Sequence, residues 1–106
     1  MSLKSSLGNR IQELRKLIKL SQEELAEKIG IDRTSLAKIE AGKNYPKPET
    51  LEKIKTVLDV RYSDLFNFEN TEDNKLNNIK LKLSKLNKKE LDFINSLLNA
   101  YIISKK

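Results

Sequence analysis

The sequence contains no cysteine and no histidine among its 106 residues, and these two absences exclude several classes of function. Without cysteine, the chain cannot form disulfides, thiolate metal sites or a cysteine nucleophile. Without histidine, it lacks the commonest general base and metal ligand, and with them most routes to catalysis near neutral pH. We therefore expect a protein that is not an enzyme and that uses no metal and no cofactor.

Long apolar runs are also missing. No stretch reaches the length of a membrane span, and the N-terminus lacks the apolar core of a signal peptide, so we expect a cytoplasmic protein with no membrane partner. The charge that is present is basic, with 21 Lys and Arg against 15 Asp and Glu. Residues 33–47 hold four of the basic residues against a single acid, Glu40. This local excess favours binding to nucleic-acid phosphates.

Two short helices joined by a tight turn are predicted over residues 22–41. Gly30 lies between them, where the chain must reverse direction with a positive φ. Ser21 precedes the first helix as part of a capping box, and Asp32 is expected to cap the second. Apolar residues recur at helical spacing in both halves: Leu25, Ala26, Ile29, Leu36 and Ile39. The second helix would thus present one exposed face, which suits the major groove of DNA.

This segment resembles the helix-turn-helix of the lambda-repressor-like family, also called the Cro-type or XRE family of bacterial and phage transcription regulators. The family's later landmarks are matched by Ile39 to Lys43, Pro46 to Leu51 and Asp64 to Phe66, and the resemblance covers about residues 7–66. It implies an all-α fold, with a five-helix DNA-binding domain over residues 1–67. Residues 68–106 would add a C-terminal helical extension of one or two helices.

Arg33, Thr34 and Lys38 are the predicted base-reading residues. They lie on the exposed face of the second of these two helices, which is the third helix of the five-helix domain, at the N-terminal end expected to enter the groove. An arginine can donate two hydrogen bonds to guanine, which contributes about 1–3 kcal/mol of discrimination. The alternative is an ordinary solvated helix face. The predicted backbone or secondary contacts, which follow mainly from the resemblance, are Ser21, Gln22, Ser35, Lys43, Asn44, Tyr45 and Lys47. Their alternative is a set of cap neighbours and a solvent-facing turn.

Arg15 and Glu40 are predicted to form a structural ion pair. Each lies at the edge of an apolar stripe, on helices expected to pack together, and the family has such a pair at these positions. Breaking one partner of a buried pair costs about 3–5 kcal/mol, so loss of either side chain should reduce stability before specificity.

The C-terminal extension contains one ambiguous segment and one clear helix. In residues 75–86 the apolar residues fit helical spacing, but Ile79, Leu81 and Leu83 also alternate as in a strand; we favour the helix. The last helix is clearer, since Asn87 and Glu90 form a capping box. Its apolar stripe, the predicted dimer or partner surface, comprises Leu91, Ile94, Leu98, Tyr101 and Ile102.

Two functions fit this pattern. The first is a sequence-specific transcriptional repressor that binds double-stranded DNA as a homodimer, because one recognition helix touches few base pairs and two half-sites about 34 Å apart improve discrimination. The second is an antitoxin-type or other regulator whose last helix binds a partner protein. The mass of the chain in solution would separate them.

Overall fold

The computed structural model describes the backbone of residues 2–68 and 72–105, and the side chains of all of these except 72–74. Over this part of the chain the structure contains seven α-helices and no strand, which confirms the all-α prediction. The helices are α1 (Leu3–Leu17), α2 (Gln22–Ile29), α3 (Arg33–Glu40), α4 (Pro48–Leu58), α5 (Tyr62–Leu65), α6 (Glu72–Ser84) and α7 (Lys88–Ser104). The chain divides into two compact units, residues 1–69 and residues 70–106.

The first unit packs α1 to α5 around one apolar core. Helix α1 packs against α3, α4 and α5, while α2 packs against α3 and α4. The core side chains are Leu7, Ile11, Leu14, Leu25, Ala26, Ile29, Leu36, Ile39, Ile54, Leu58, Val60 and Leu65. Burial of each of the larger of these contributes about 1.5–3 kcal/mol. They include every apolar residue that the sequence assigned to the two stripes of the helix-turn-helix.

Local sequence signals account for the helix boundaries. The Ser21 hydroxyl accepts the Glu24 N–H, and the Glu24 carboxylate accepts the Ser21 N–H, both at 3.0 Å. Gly30 ends α2 with φ 77°, a left-handed conformation that a Cβ disfavours. In the second unit α6 extends to Ser84, so the strand alternative for residues 75–86 is wrong. Asn87 and Glu90 form the capping box at the start of α7.

Two glycines let α1 lie directly against the C-terminal end of α3. A Cβ at Gly8 would lie 2.3 Å from the Ile39 carbonyl oxygen and 2.7 Å from that of Glu40. A Cβ at Gly42 would lie 2.7 Å from the Cα of Ser5, and Gly42 also has a positive φ of 77°. The neighbouring atoms are largely backbone, which cannot move aside as a flexible side chain would. The close packing of α1 against α3 therefore requires glycine, which has no side chain, at positions 8 and 42.

Candidate nucleic-acid interface

Helix α3 carries one buried face and one exposed face. Leu36 and Ile39 are buried in the core, whereas the predicted base-reading residues Arg33, Thr34 and Lys38 are all exposed. The first turn of α3 contains no acidic residue, and the carboxylate nearest to it in the sequence is that of the capping residue Asp32. The exposed surface of α3 is thus basic at the end where a recognition helix enters the groove.

The start of α3 is fixed by Asp32. Its carboxylate accepts the Ser35 N–H at 2.7 Å. This hydrogen bond to the charged form lowers the pKa of the Asp32 carboxyl below its usual value, so the cap is ionised at neutral pH. The backbone N–H of Ser35 thus takes part in the cap of α3, and the Ser35 side chain is half-buried.

The opposite end of α3 is held by a buried polar network of Arg15, Glu40 and Gln22. Arg15 donates to the two carboxylate oxygens of Glu40 at 2.8 and 3.0 Å, and a third guanidinium N–H reaches the Leu20 carbonyl at 2.7 Å. The Gln22 amide donates to the same Glu40 carboxylate at 3.0 Å. Arg15 and Glu40 are only 6% and 4% exposed. The network joins α1, α2 and α3, and it compensates the Glu40 charge internally.

Gln22 shows how the structure refines a sequence assignment. The resemblance placed it among the predicted backbone or secondary contacts to DNA. The structure shows its amide bonded to Glu40, the last residue of α3, and Gln22 is half-buried at the start of α2. Ser21, immediately before it, is exposed and already engaged in the capping box.

The loop between α3 and α4 forms a second exposed basic surface beside α3. Lys43, Asn44, Tyr45 and Lys47 are all exposed, with 53% of Tyr45 accessible. A shallow cleft of about 260 Å³ separates this loop from α3, and it is lined by Ser35 as well as by loop residues. The cleft therefore brings together four of the predicted backbone or secondary contacts, Ser35, Asn44, Tyr45 and Lys47.

The tertiary contacts of two basic residues, Arg10 and Lys4, were not predicted from the sequence. Arg10 is buried, and its guanidinium donates to the Asp64 carbonyl and to the Glu13 carboxylate, both at 2.7 Å. Its place beside Ile11, at the edge of the α1 stripe, is the same signal that singled out Arg15. Lys4 contacts the ring of Tyr45, and its sequence position carries no signal for this.

Helix α7 leaves its apolar stripe uncovered. Leu91 is 38% exposed, Leu98 51%, Tyr101 64% and Ile102 55%, while Ile94 is half-buried. No residue of α7 is fully buried. Phe93, Leu97 and Ile103 are also exposed, which widens the apolar face beyond the predicted stripe. A large apolar patch of this kind is typical of a protein-interaction surface.

The described residues offer little support for other kinds of site. Over residues 2–68 and 75–105, no three Asp or Glu side chains are grouped so that they could hold a metal ion. In the same ranges we find no helix with the length and apolar character that a bilayer crossing requires.

Comparison with known proteins agrees with this geometry. The helix-turn-helix family model matches residues 11–65. The chain is 42% identical over 62 residues to the HTH-type regulator RghRB of Bacillus subtilis, a match that covers 58% of this chain but only 45% of that relative. It is 32% identical over 104 residues to the CTXphi transcriptional repressor RstR of Vibrio cholerae, which covers 97% and 89% of the two chains.

A solved structure is also similar to part of this chain. The restriction-modification controller protein C.AhdI of Aeromonas hydrophila superposes with a TM-score of 0.56 at 35% identity, over 58% of this chain and 94% of that one. The family match over residues 11–65 includes the capped turn and the exposed basic face described above. This chain therefore belongs to the XRE-type helix-turn-helix family of DNA-binding transcription regulators, a class that is not enzymatic.

Proposed function

We propose that this protein is a transcriptional repressor that binds a two-fold symmetric operator as a homodimer. The exposed basic face of α3 is the observation that carries the proposal, since α3 is held at both ends by polar contacts and can act as a rigid probe. The assignment as a repressor is supported by the similarity to RstR, which extends over both units of the chain. As a DNA-binding regulator it would act in the cytoplasm.

In this proposal Arg33, Thr34 and Lys38 read base edges in the major groove. Arg33 would donate two hydrogen bonds to guanine, Lys38 one from its ammonium group, and Thr34 would offer its hydroxyl or methyl. All three side chains are exposed to solvent. Their exposure leaves these groups available for base recognition.

The surrounding polar residues would position α3 on the sugar-phosphate backbone. Lys43 and Lys47 supply positive charge from the loop after α3, and Asn44 and Tyr45 supply neutral donors. The remaining contacts assigned to this group are Ser21, Gln22 and Ser35. Such contacts set the register of the protein on the duplex without reading its sequence.

The homodimer is supported by the uncovered face of α7. A two-fold symmetric dimer uses the same patch on both subunits, and a wide apolar stripe on a 17-residue helix can serve as such a self-complementary patch. Pairing would also place two recognition helices on one duplex, as discrimination by short helices requires. We expect the α7 stripe to be the dimer surface, and a partner protein on α7 is the competing outcome.

Selection of bound duplexes from random DNA tests the proposed operator. We expect the recovered sequences to share a two-fold symmetric site whose half-site centres lie about one turn of DNA apart, roughly 34 Å. A regulator that binds as a monomer would instead return a single asymmetric half-site. Recovery of no preferred sequence at all would contradict sequence-specific binding.

A charged substitution in the stripe tests the dimer surface. We expect Leu98→Asp to raise the dimer dissociation constant at least about tenfold, because it would bury an unpaired carboxylate between two apolar faces. Asn99→Asp is the matched control, since it adds the same charge to the next residue, outside the stripe. Molar mass measured by light scattering over a concentration series reports both. A wild-type chain that stays monomeric would instead favour a partner protein on α7.

A further inference from the structure

Lys4, in the first turn of α1, lies against the loop between α3 and α4. Its Nζ is 5.5 Å from the centre of the Tyr45 ring, within the roughly 6 Å over which a ring face attracts a cation. The Tyr45 ring remains 53% exposed, so this contact does not bury it. A lysine from outside the helix-turn-helix is thus held at the edge of the loop that we assign to the DNA backbone.

The backbone contact between Ser5 and Gly42 keeps Lys4 close to this loop. Gly42 approaches Ser5 so closely that a Cβ would collide with the Ser5 backbone. Lys4 precedes Ser5 and Lys43 follows Gly42, and consecutive Cα atoms are only about 3.8 Å apart. The two lysines therefore extend from one patch of surface, although 39 positions separate them in the sequence.

The chain on either side of these two contacts is free of acidic residues. Residues 2–12 and 41–48 contain none, although Glu13, Glu40 and Glu49 lie directly beyond these ranges. A positive charge in the first turn of a helix interacts unfavourably with the helix dipole. A contribution to the stability of α1 therefore does not explain why a lysine occupies position 4. Its surroundings instead fit a phosphate group.

We propose that Lys4 contacts a DNA phosphate and so extends the backbone-contacting surface from the loop onto α1. The inference rests on the proposed DNA binding by α3 and its loop. Tyr45 would act as a positioning residue, because its ring would restrict the motion of the Lys4 ammonium before DNA binds. The expected contact is insensitive to base sequence, because phosphates carry no sequence information.

The test is the salt dependence of binding to a mixed-sequence duplex of about 30 base pairs, since each phosphate contact contributes about 0.9 to the slope of log K against log salt. We expect Lys4→Ala to reduce the magnitude of this slope by about 0.9 for each bound subunit. Each such loss corresponds to an affinity about fivefold lower at 0.15 M salt. Lys4→Arg should restore the wild-type slope. Lys16→Ala, which removes an exposed charge from the last turn of the same helix, should leave it unchanged.

The outcomes separate the two proposals. If wild-type binding weakens with salt and Lys43→Ala reduces the slope, but Lys4→Ala behaves like Lys16→Ala, then DNA binding stands and the role of Lys4 is wrong. A wild-type chain that binds no duplex would overturn both proposals. An equal loss of slope in Lys4→Ala and Lys16→Ala would also contradict a specific phosphate contact, since it would indicate only a general effect of net charge.

Discussion

Replacing Glu40 with alanine is expected to lower the free energy of unfolding by about 3–5 kcal/mol, because it leaves the Arg15 guanidinium buried without its carboxylate. Glu40 accepts two hydrogen bonds from Arg15 and a third from Gln22, so a single substitution would remove partners from two other helices. Small domains have a total stability of only about 5–15 kcal/mol, and a loss of this size would leave the first unit marginally folded. Arg15→Ala should have a similar effect, since it would strand the buried Glu40 carboxylate.

Urea denaturation followed by circular dichroism measures this effect, and two comparisons make the result specific. Glu27→Ala removes an exposed carboxylate from α2, and we expect it to change the free energy of unfolding by less than about 0.5 kcal/mol. The double replacement Arg15→Met with Glu40→Leu removes both charges, and we expect it to recover most of the lost stability. A Glu40→Ala variant that unfolds within about 1 kcal/mol of the wild type would show that the pair is not essential to the fold.

The second large effect concerns recognition rather than stability. We expect the double variant Arg33→Ala with Lys38→Ala to lose at least about 1–3 kcal/mol of discrimination between the selected operator and a scrambled duplex, which is the range for the bidentate Arg33 contact alone. This is a decrease of at least roughly 5-fold to 150-fold in the ratio of the two affinities, and the loss of the Lys38 bond would add to it. Both side chains are exposed, so the free energy of unfolding should change by less than about 0.5 kcal/mol per site.

A second double variant controls for the loss of two positive charges. Lys28 and Lys53 are exposed on α2 and α4 of the same unit, and neither belongs to the proposed interface. Lys28→Ala with Lys53→Ala should keep the wild-type affinity ratio, even if a lower net charge weakens binding to both duplexes equally. The assignment of base reading to Arg33 and Lys38 would be wrong if the two double variants retained the same ratio.

The features that the sequence predicted well are those that depend on neighbouring residues. The capping box of Ser21 and Glu24 and the left-handed Gly30 involve groups within three residues of one another or a single φ angle. Helical periodicity likewise assigned the core residues of α2 and α3, because a period of 3.6 places them on one face. The exposed position of Arg33, Thr34 and Lys38 follows from the same periodicity. The DNA-binding role of these three residues remains a proposal.

The features that the sequence did not predict depend on segments far apart in the chain. The contact between Lys4 and Tyr45 and the close approach of Gly8 to the Ile39 carbonyl join α1 to residues more than 30 positions away. No local pattern marks such a contact, since it depends on how closely two helices approach. The bond from Gln22 to Glu40 likewise joins two helices across 18 positions of the sequence.

The sequence by itself determined where α2, α3 and α7 begin, that α2 ends at Gly30, and which faces of α2 and α3 turn away from water. These properties follow from backbone sterics, capping hydrogen bonds and the spacing of apolar side chains, all of which act over a few residues. Only the tertiary structure decided which charges are compensated inside the protein and which remain on its surface. Glu40 and Arg15 cancel each other in the core, whereas Arg33, Lys38 and Lys43 stay exposed, because burial depends on the packing of whole helices.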